Sequence, residues 1–590
     1  MREKFYISFI GLFSILYGGV IYFFPQEAIT FAKTFLGDYN YNQSNTWYIG
    51  ILSSPITLQT YLHYFFLKLG VNEEYLNIIH SVLTCYLSFL TLFYLAKVLD
   101  IDNYSAFLIL LLFLFFRFID THWYGIYYPV NYFYFGQMGM YLTILSLVHY
   151  CLNKKNLSIF LLILNIFAHA AWGSINFVLL SVLFIQNKEA PKINFYHLIF
   201  FISILFLMIY VYIDFDQFLN NSFSQYENGI NTFRVKDEGE IKAYSISHSP
   251  YFFIDYKSIF NAFRFFFYEI LLITIFIIFR KKINENTKKL LSILIISTII
   301  VCLTYFTNQL TDIFSYLGFI NKSIPELLNR MLMTRFLNMN NIFVLVFSIA
   351  YLFFKSKNES LNFPKIYLTI YFILISCFII INGNIIVEHI PIIKLEKIFN
   401  NIFIWVNFPI ALAYCVFELK IEKKLNFYPR LINIKKFYKF SINIYLILII
   451  FYLLPLKYKN FTDFTQSNEK VFDLIDNKSF KEIIVGPLIY GYIDPSYISN
   501  SPIFLPLNYI NSIIDNKKID VWCDNARGTF NERNDYFNYV YFDCLQIKTN
   551  DEWKDIGKQL NSNYVLVRSY VELNLKLVGK NEFISLYSIN

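Results

Sequence analysis

Apolar runs alternate with short polar segments along the first 456 residues of the chain. The runs are about 20 residues long, the length of α-helix that crosses a hydrocarbon layer of about 30 Å. They lie at 5–24, 75–97, 104–119, 132–152, 195–213, 257–279, 289–306, 336–354, 365–387, 399–419 and 440–456. This pattern predicts an all-α polytopic membrane bundle over residues 1–456.

One further run, 157–186, is too long for one crossing and short for two, and polar and small residues interrupt it at 169–173. The flanking lysines are Lys154 and Lys155 before the run and Lys188 and Lys192 after it. Because lysines favour the cytoplasmic side, both ends of the run are expected there. The run should therefore enter the membrane and return, as a hairpin or a broken helix.

Basic residues between the runs predict the topology. With the hairpin in place, the strongest clusters share the cytoplasmic side: Lys97, Arg280–Lys282 with Lys288 and Lys289, Lys355 with Lys357 and Lys365, and Lys420–Lys439. The sequence thus predicts about thirteen crossings of the inner (cytoplasmic) membrane, a cytoplasmic N-terminus and an extracytoplasmic C-terminus. The exceptions on the outer side are Arg330, Arg335, Lys394 and Lys397.

The first predicted outer loop, 25–74, contains a second helical pattern. After Ser54 and Pro55, the apolar positions are Ile56, Leu58, Tyr61, Leu62, Phe65, Phe66 and Leu69, and the polar ones are Thr57, Gln59, Thr60, His63 and Lys68. Spacing of three to four residues predicts an amphipathic helix, which we expect to lie in the membrane interface.

Residues 457–590 are expected to form a small extracytoplasmic α/β domain. The predicted strands are Glu482–Val485, Pro502–Leu505, Val540–Phe542 and Tyr564–Val567, with a helix around Asp551–Leu560. The domain lacks a glycine-rich phosphate loop and a nucleophile motif, so we expect it to support the site or shape the acceptor. Cys523 and Cys544 are expected to pair if this domain faces an oxidising compartment.

The composition is typical of a membrane protein, and it changes how the net positive charge is interpreted. Of the 590 residues, 56% are hydrophobic and 16% charged, and a soluble protein could not cover so much apolar surface. A net charge of +8 would suggest a nucleic-acid partner for a soluble chain, but here the charge lies in the segments that set orientation. We therefore expect membrane lipid, and no nucleic acid, as a partner.

Asp38 is the leading candidate for catalysis. It follows Gly37 shortly after the outer end of the first run. A carboxylate there would have access to water and to lipid headgroups, as a base must have to deprotonate a sugar hydroxyl attacking a lipid-linked donor. A turn aspartate is the alternative, because Gly-Asp-x-Asn is ordinary turn sequence.

Further candidates for substrate binding lie on the outer side or at membrane depth. Asp120 and His122 begin the second outer loop, where polar residues also commonly accompany interfacial aromatic residues. His169 and Trp172 interrupt the long run, where a polar residue in a broken helix is more often functional than in a soluble core, although a structural role is an equal alternative. The remaining candidates are His248, Arg330 and Arg335. An outward arginine could bind a phosphate-bearing lipid headgroup, although a salt bridge to Glu326 also explains Arg330.

This arrangement resembles the GT-C glycosyltransferase superfamily: an acidic residue and an amphipathic helix in the first outer loop, many helices, and an outward C-terminal domain. The resemblance implies a polyprenyl-phosphate-linked sugar as donor and transfer to a glycan, lipid or protein acceptor outside the membrane. Our first hypothesis is therefore that Asp38 is the base and that Arg330 or Arg335 stabilises the departing phosphate. Asp38 has no acidic neighbour, so the motif does not provide a ligand set for a divalent metal.

Two other functions remain open at this point. A transporter or flippase of a lipid-linked saccharide would also need polar residues and a broken helix inside the membrane, but the two halves show no internal repeat. An O-antigen polymerase-like protein would carry a large arginine-rich outer loop late in the chain. The late outer loops are short here.

Overall fold

The structure is a computed structural model, which describes most of the chain. The described residues are 3–21, 27–36, 57–115, 118–120, 125–127, 135–191, 193–223, 273, 284–316, 335–358, 363–387, 406–421, 434–474, 482–485, 503–506, 549–560, 562–569, 571–582 and 584–589. They are mostly helical, with a small sheet towards the C-terminus.

The helices follow the apolar runs closely. They are α1 Glu3–Ile21, α2 Glu27–Leu36, α3 Leu58–Lys68, α4 Glu73–Lys97, α5 Asn103–Phe115, α6 Phe135–Cys151, α7 Lys155–Ala168, α8 Ala170–Gln186, α9 Phe195–Phe223, α10 Glu285–Tyr316, α11 Arg335–Asn358, α12 Phe363–Val387, α13 Asn407–Ile421, α14 Ile434–Leu448, α15 Leu454–Phe472 and α16 Asn550–Leu560. A π-helical turn, Ile449–Leu453, joins α14 to α15.

The strands are short and belong to two sheets. They are β1 Phe118–Asp120, β2 Gly125–Tyr127, β3 Glu482–Val485, β4 Ile503–Pro506, β5 Ser562–Arg568, β6 Lys576–Lys580 and β7 Ile584–Ser588. The predicted end of the apolar run 104–119 is wrong. Helix α5 ends at Phe115, and β1 is a strand that pairs antiparallel with β2.

Three segments of the described chain are long and apolar enough to cross a membrane: Glu73–Lys97, Phe363–Gly383 and Lys436–Leu456. Shorter apolar helical segments occupy Asn103–Phe113, Lys155–Ala168, Trp172–Gln186 and Phe195–Tyr210. The predicted run 257–279 lies almost wholly outside the described residues. The membrane character of the chain therefore holds, while the count of about thirteen crossings stays a prediction.

The chain divides into two compact units. One, here the helical unit, comprises Met1–Ile21, Ile79–Leu207 and Lys236–Lys457. The other, here the mixed unit, comprises Tyr22–Ile78, Met208–Val235 and Tyr458–Asn590. The predicted domains, 1–456 and 457–590, assign residues 22–78 and 208–235 differently.

Polar contacts connect the basic segments of the helical unit with one another. The contacts are Lys154 with Glu3 at 3.1 Å, Lys155 with Glu189 at 2.9 Å, Lys289 with Asn153 at 2.6 Å, Asn284 with Val98 at 3.2 Å, and Lys357 with Asp102. These segments, which the charge pattern predicts to share one side of the membrane, thus meet at one end of the unit.

The C-terminal sheet of the mixed unit has the order β4-β3-β5-β7-β6. Strand β3 is parallel to β4 and β5, and β7 is antiparallel to β5 and β6. The strands predicted around 482–485, 502–505 and 564–567 and the helix around 551–560 are confirmed. Val540–Phe542, Cys523 and Cys544 lie outside the described residues, and the sequence analysis misses β6 and β7.

Candidate functional site

Helix α3 in the first predicted outer loop has an unusual distribution of exposed residues. Its buried side chains, polar and apolar alike, are Leu58, Gln59, Thr60, Tyr61, His63 and Tyr64. Its exposed apolar side chains lie at the C-terminal end: Phe66 is 40% exposed, and Leu69 just beyond the helix is 64% exposed. The predicted helix is confirmed, and large apolar side chains are exposed at its C-terminal end, which suits contact with an apolar solvent.

A tight turn connects α3 to α4, the first candidate membrane span. Gly70 has a φ of +82°, and the Gly70 and Val71 amides donate to the last carbonyls of α3, forming a Schellman motif. The Asn72 carboxamide oxygen then accepts a hydrogen bond from the Glu74 amide at 2.7 Å, which caps α4. Four residues therefore separate α3 from a segment long enough to cross the membrane.

An ion pair joins the two ends of the same loop. The Lys33 ammonium near the end of α2 donates to the Glu73 carboxylate in the first turn of α4 at 2.6 Å. Their side chains are only 10% and 18% exposed. The sequence analysis did not find this pair, because no local pattern links residues 40 positions apart.

The second predicted outer loop contains the β1–β2 hairpin. Asp120 ends β1 and stands opposite Gly125 in the register. His122 lies between the two strands and outside the described residues.

The long run is a helical hairpin, as its flanking charges predict. Helix α7 ends at Ala168, α8 begins at Ala170, and His169 between them is extended, with φ −161° and ψ 103°. Its imidazole Nδ1 accepts a hydrogen bond from the Trp172 amide at 3.3 Å and so caps α8. The Lys155–Glu189 ion pair closes the other end, so the hairpin is confirmed, while its entry into the membrane from the cytoplasmic side stays a prediction.

Two glycines allow the hairpin to close tightly. A Cβ at Gly173 would lie 2.4 Å from the Ile166 Cα atom of α7, and a Cβ at Gly139 of α6 would lie 2.7 Å from the His169 Cβ atom. Trp172 is 3% exposed and packs beside Gly139. His169 and Trp172, both predicted as binding residues, therefore also have direct structural roles at the tip.

Buried polar groups lie on the two legs of the hairpin. Asn165 on α7 donates to the Thr143 hydroxyl of α6 at 2.7 Å, and its carboxamide oxygen has no hydrogen-bond partner among the described residues. The carboxamide of Asn176 on α8 has no partner there either, and both asparagines are 0% exposed. The sequence analysis missed them, although an asparagine inside an apolar run is itself a signal.

The other predicted site residues are distributed between the described and undescribed parts of the chain. Arg335 is the first residue of α11. Asp38, His122, His248 and Arg330 lie outside the described residues. Across the ranges that the structure describes, no three His, Cys, Asp or Glu side chains come together as a metal site.

Comparison of the chain with protein-family models, with curated proteins and with solved structures finds no match.

Proposed function

We propose that the chain is a GT-C-type membrane glycosyltransferase, which moves a sugar from a polyprenyl-phosphate-linked donor to an acceptor outside the membrane. The observation that carries the proposal is helix α3, which exposes large apolar side chains at its C-terminal end, four residues before a candidate span. This distribution favours a position at the membrane surface. Asp38 belongs to the same loop, so its carboxylate would meet the headgroup of a lipid-linked donor there.

The proposed reaction needs one base and one cation. Asp38 takes the proton from the acceptor hydroxyl, whose oxygen attacks the anomeric carbon of the donor sugar. The bond from that carbon to the phosphate oxygen breaks, and its electron pair leaves with the lipid phosphate. Arg330 or Arg335 stabilises the negative charge that develops, which lowers the barrier selectively in the transition state.

The test is Asp38→Asn, which keeps the size of the side chain and removes its basicity. Membranes are supplied with a panel of undecaprenyl-phosphate-linked radiolabelled hexoses and pentoses and a cell-envelope fraction as acceptor. Loss of general base catalysis should slow transfer about 10²- to 10⁴-fold while donor binding persists. The exposed Glu74 of the same loop gives the matched control, Glu74→Gln, which should transfer normally. Normal transfer by Asp38→Asn at normal protein levels would refute the proposal.

The helical hairpin favours a second candidate function, a flippase or transporter of a lipid-linked saccharide. A helix broken at His169 with buried asparagines on both sides is the kind of feature that lines substrate paths in transporters. A transporter does not need a base at Asp38. Unchanged translocation of the intact donor by Asp38→Asn would favour this function.

A further inference from the structure

The candidate span that contains α14 is covered by protein on one side only. Of the apolar stretch in Lys436–Leu456, 22% is buried, against 61% in the span Glu73–Lys97. The buried side chains near its start are Ser441, Ile442 and Tyr445. The Tyr445 hydroxyl donates to the Leu111 carbonyl of α5 at 3.0 Å, so this side packs on the helical unit.

The other side of α14 exposes a charged, an amide and an apolar section, in that order. Lys436 and Lys439 are exposed in its first turns, and Asn443 is exposed one turn further on. Ile447 follows after another turn and is exposed as well. With about 3.6 residues per turn, these four positions fall within an arc of about 80°, opposite the buried side. They form one continuous surface, here called the exposed stripe of α14.

The polar groups of the exposed stripe have no partner in the part of the chain that the structure describes. Lys357 of the same unit pairs with Asp102, whereas neither the Lys436 nor the Lys439 ammonium forms an ion pair with a described carboxylate. The Asn443 carboxamide forms no hydrogen bond with a described residue either. Because an amide that meets hydrocarbon without a hydrogen bond is costly, this position calls for a partner from outside the chain.

The order of groups along the exposed stripe matches the order of groups along a membrane phospholipid. Lysines bind the phosphate, a carboxamide N–H donates to an ester carbonyl, and an aliphatic side chain packs against an acyl chain. From Lys439 to Ile447 the helix rises about 12 Å, which lies within the hydrocarbon of one leaflet, about 15 Å deep. The exposed Phe440 beside Asn443 is typical of the membrane–water interface.

We propose that the exposed stripe of α14 is a binding site for an anionic glycerophospholipid, whose phosphate contacts Lys436 and Lys439 and whose ester carbonyl accepts a hydrogen bond from Asn443. This end of the span is the one that the charge pattern predicts to be cytoplasmic, and the cytoplasmic leaflet is rich in anionic lipids. A polyprenyl phosphate has the phosphate and the tail but offers no ester carbonyl to Asn443. The proposal is independent of sugar transfer.

The experiment titrates the full-length protein in detergent with phosphatidylglycerol or phosphatidylcholine of the same acyl chains, and native mass spectrometry measures bound lipid. The wild type should bind phosphatidylglycerol more tightly. Since each lysine near an anionic headgroup contributes about fivefold in affinity, Lys436→Gln/Lys439→Gln should weaken phosphatidylglycerol binding about 30-fold and abolish the preference. Asn443→Leu should weaken both lipids alike, about 2- to 10-fold, because both carry the ester.

The matched control removes two charges from an exposed helix elsewhere in the chain. Lys554 and Lys558 are exposed on α16, four residues apart and beside acidic residues such as Asp551. Lys554→Gln/Lys558→Gln should therefore leave the affinity for both lipids and the preference for phosphatidylglycerol unchanged.

Three results would overturn the proposal. Equal binding of the two lipids by the wild type, or a full preference in Lys436→Gln/Lys439→Gln, removes the phosphate contact. Unchanged binding of both lipids by Asn443→Leu removes the ester contact, and this variant decides the question alone if the lysine variant does not accumulate. Tighter binding of undecaprenyl phosphate than of phosphatidylglycerol, lost in the lysine variant, would assign the exposed stripe to the lipid carrier instead.

Discussion

Glu3 shows how a single residue connects loops at the basic end of the helical unit. Its carboxylate accepts hydrogen bonds from the Lys154 ammonium at 3.1 Å and from the Tyr94 hydroxyl at 3.0 Å. Burial acts to raise the pKa of this carboxyl, but the two hydrogen bonds and the charge of Lys154 outweigh it and lower the pKa below the usual 4.5.

A lowered carboxylate pKa gives a stability that depends on pH. The stabilisation by Glu3 is fully present above pH 4.5 and is lost as the pH falls through the lower pKa of the folded protein. Lys154→Met should therefore lower the thermal unfolding midpoint of the purified protein at neutral pH, and the difference should disappear in acid. Lys288→Met removes a pair whose Glu285 side chain is 80% exposed, and it should change little. Equal effects of both variants at every pH would contradict this assignment.

At the residue scale, the sequence shows where the basic clusters lie along the chain, but it does not show which charged side chains form ion pairs in the fold. The basic clusters around Lys154 and Lys188 are visible in the sequence, and the topology prediction depends on them. The Lys33–Glu73 pair depends on how α2 approaches α4, and nothing in the sequence near either residue carries that information.

Among the elements, the helical hairpin is the one that the sequence predicts with most detail. Lysines at both ends and polar residues in the middle suffice to predict entry and return. The legs, with 14 and 17 residues, are about 21 Å and 26 Å long, shorter than a hydrocarbon layer of about 30 Å. His169 is therefore expected at membrane depth.

Gly173→Ala tests how closely the legs of the hairpin pack. The added methyl group would lie 2.4 Å from the backbone of α7, which cannot move aside as a side chain can. We expect a loss of about 1–3 kcal/mol, measured as a lower unfolding midpoint in detergent. Gly19→Ala in α1 meets nothing within 4 Å and should be neutral or stabilising, because alanine favours helix. If the two variants behave alike, the close approach is wrong.

Short strands are the elements that the sequence predicts least well. Strands β1 and β2 have three residues each, too few to show a period of two. In β7, four of the five residues are buried, so its two sides do not alternate as a half-exposed strand would. The predicted strands around Glu482–Val485 and Tyr564–Val567 succeed because β-branched and aromatic residues concentrate in them.

At the scale of the whole molecule, apolar runs and charge clusters account for the helices and for the meeting of the basic segments. They do not account for the two compact units, because the first predicted outer loop belongs to the mixed unit by tertiary contacts. Local sequence contains no signal for such contacts. The side of the membrane occupied by each end stays a prediction from the positive-inside rule.

The most direct test of the proposed function is to follow the bond between sugar and phosphate in proteoliposomes. The protein is reconstituted with undecaprenyl-phosphate-linked radiolabelled sugars and the cell-envelope fraction as acceptor. A glycosyltransferase should release free undecaprenyl phosphate in step with labelled acceptor, and Asp38→Asn should release neither. Movement of the intact donor across the bilayer, with no cleavage of any donor in the panel, would contradict the account.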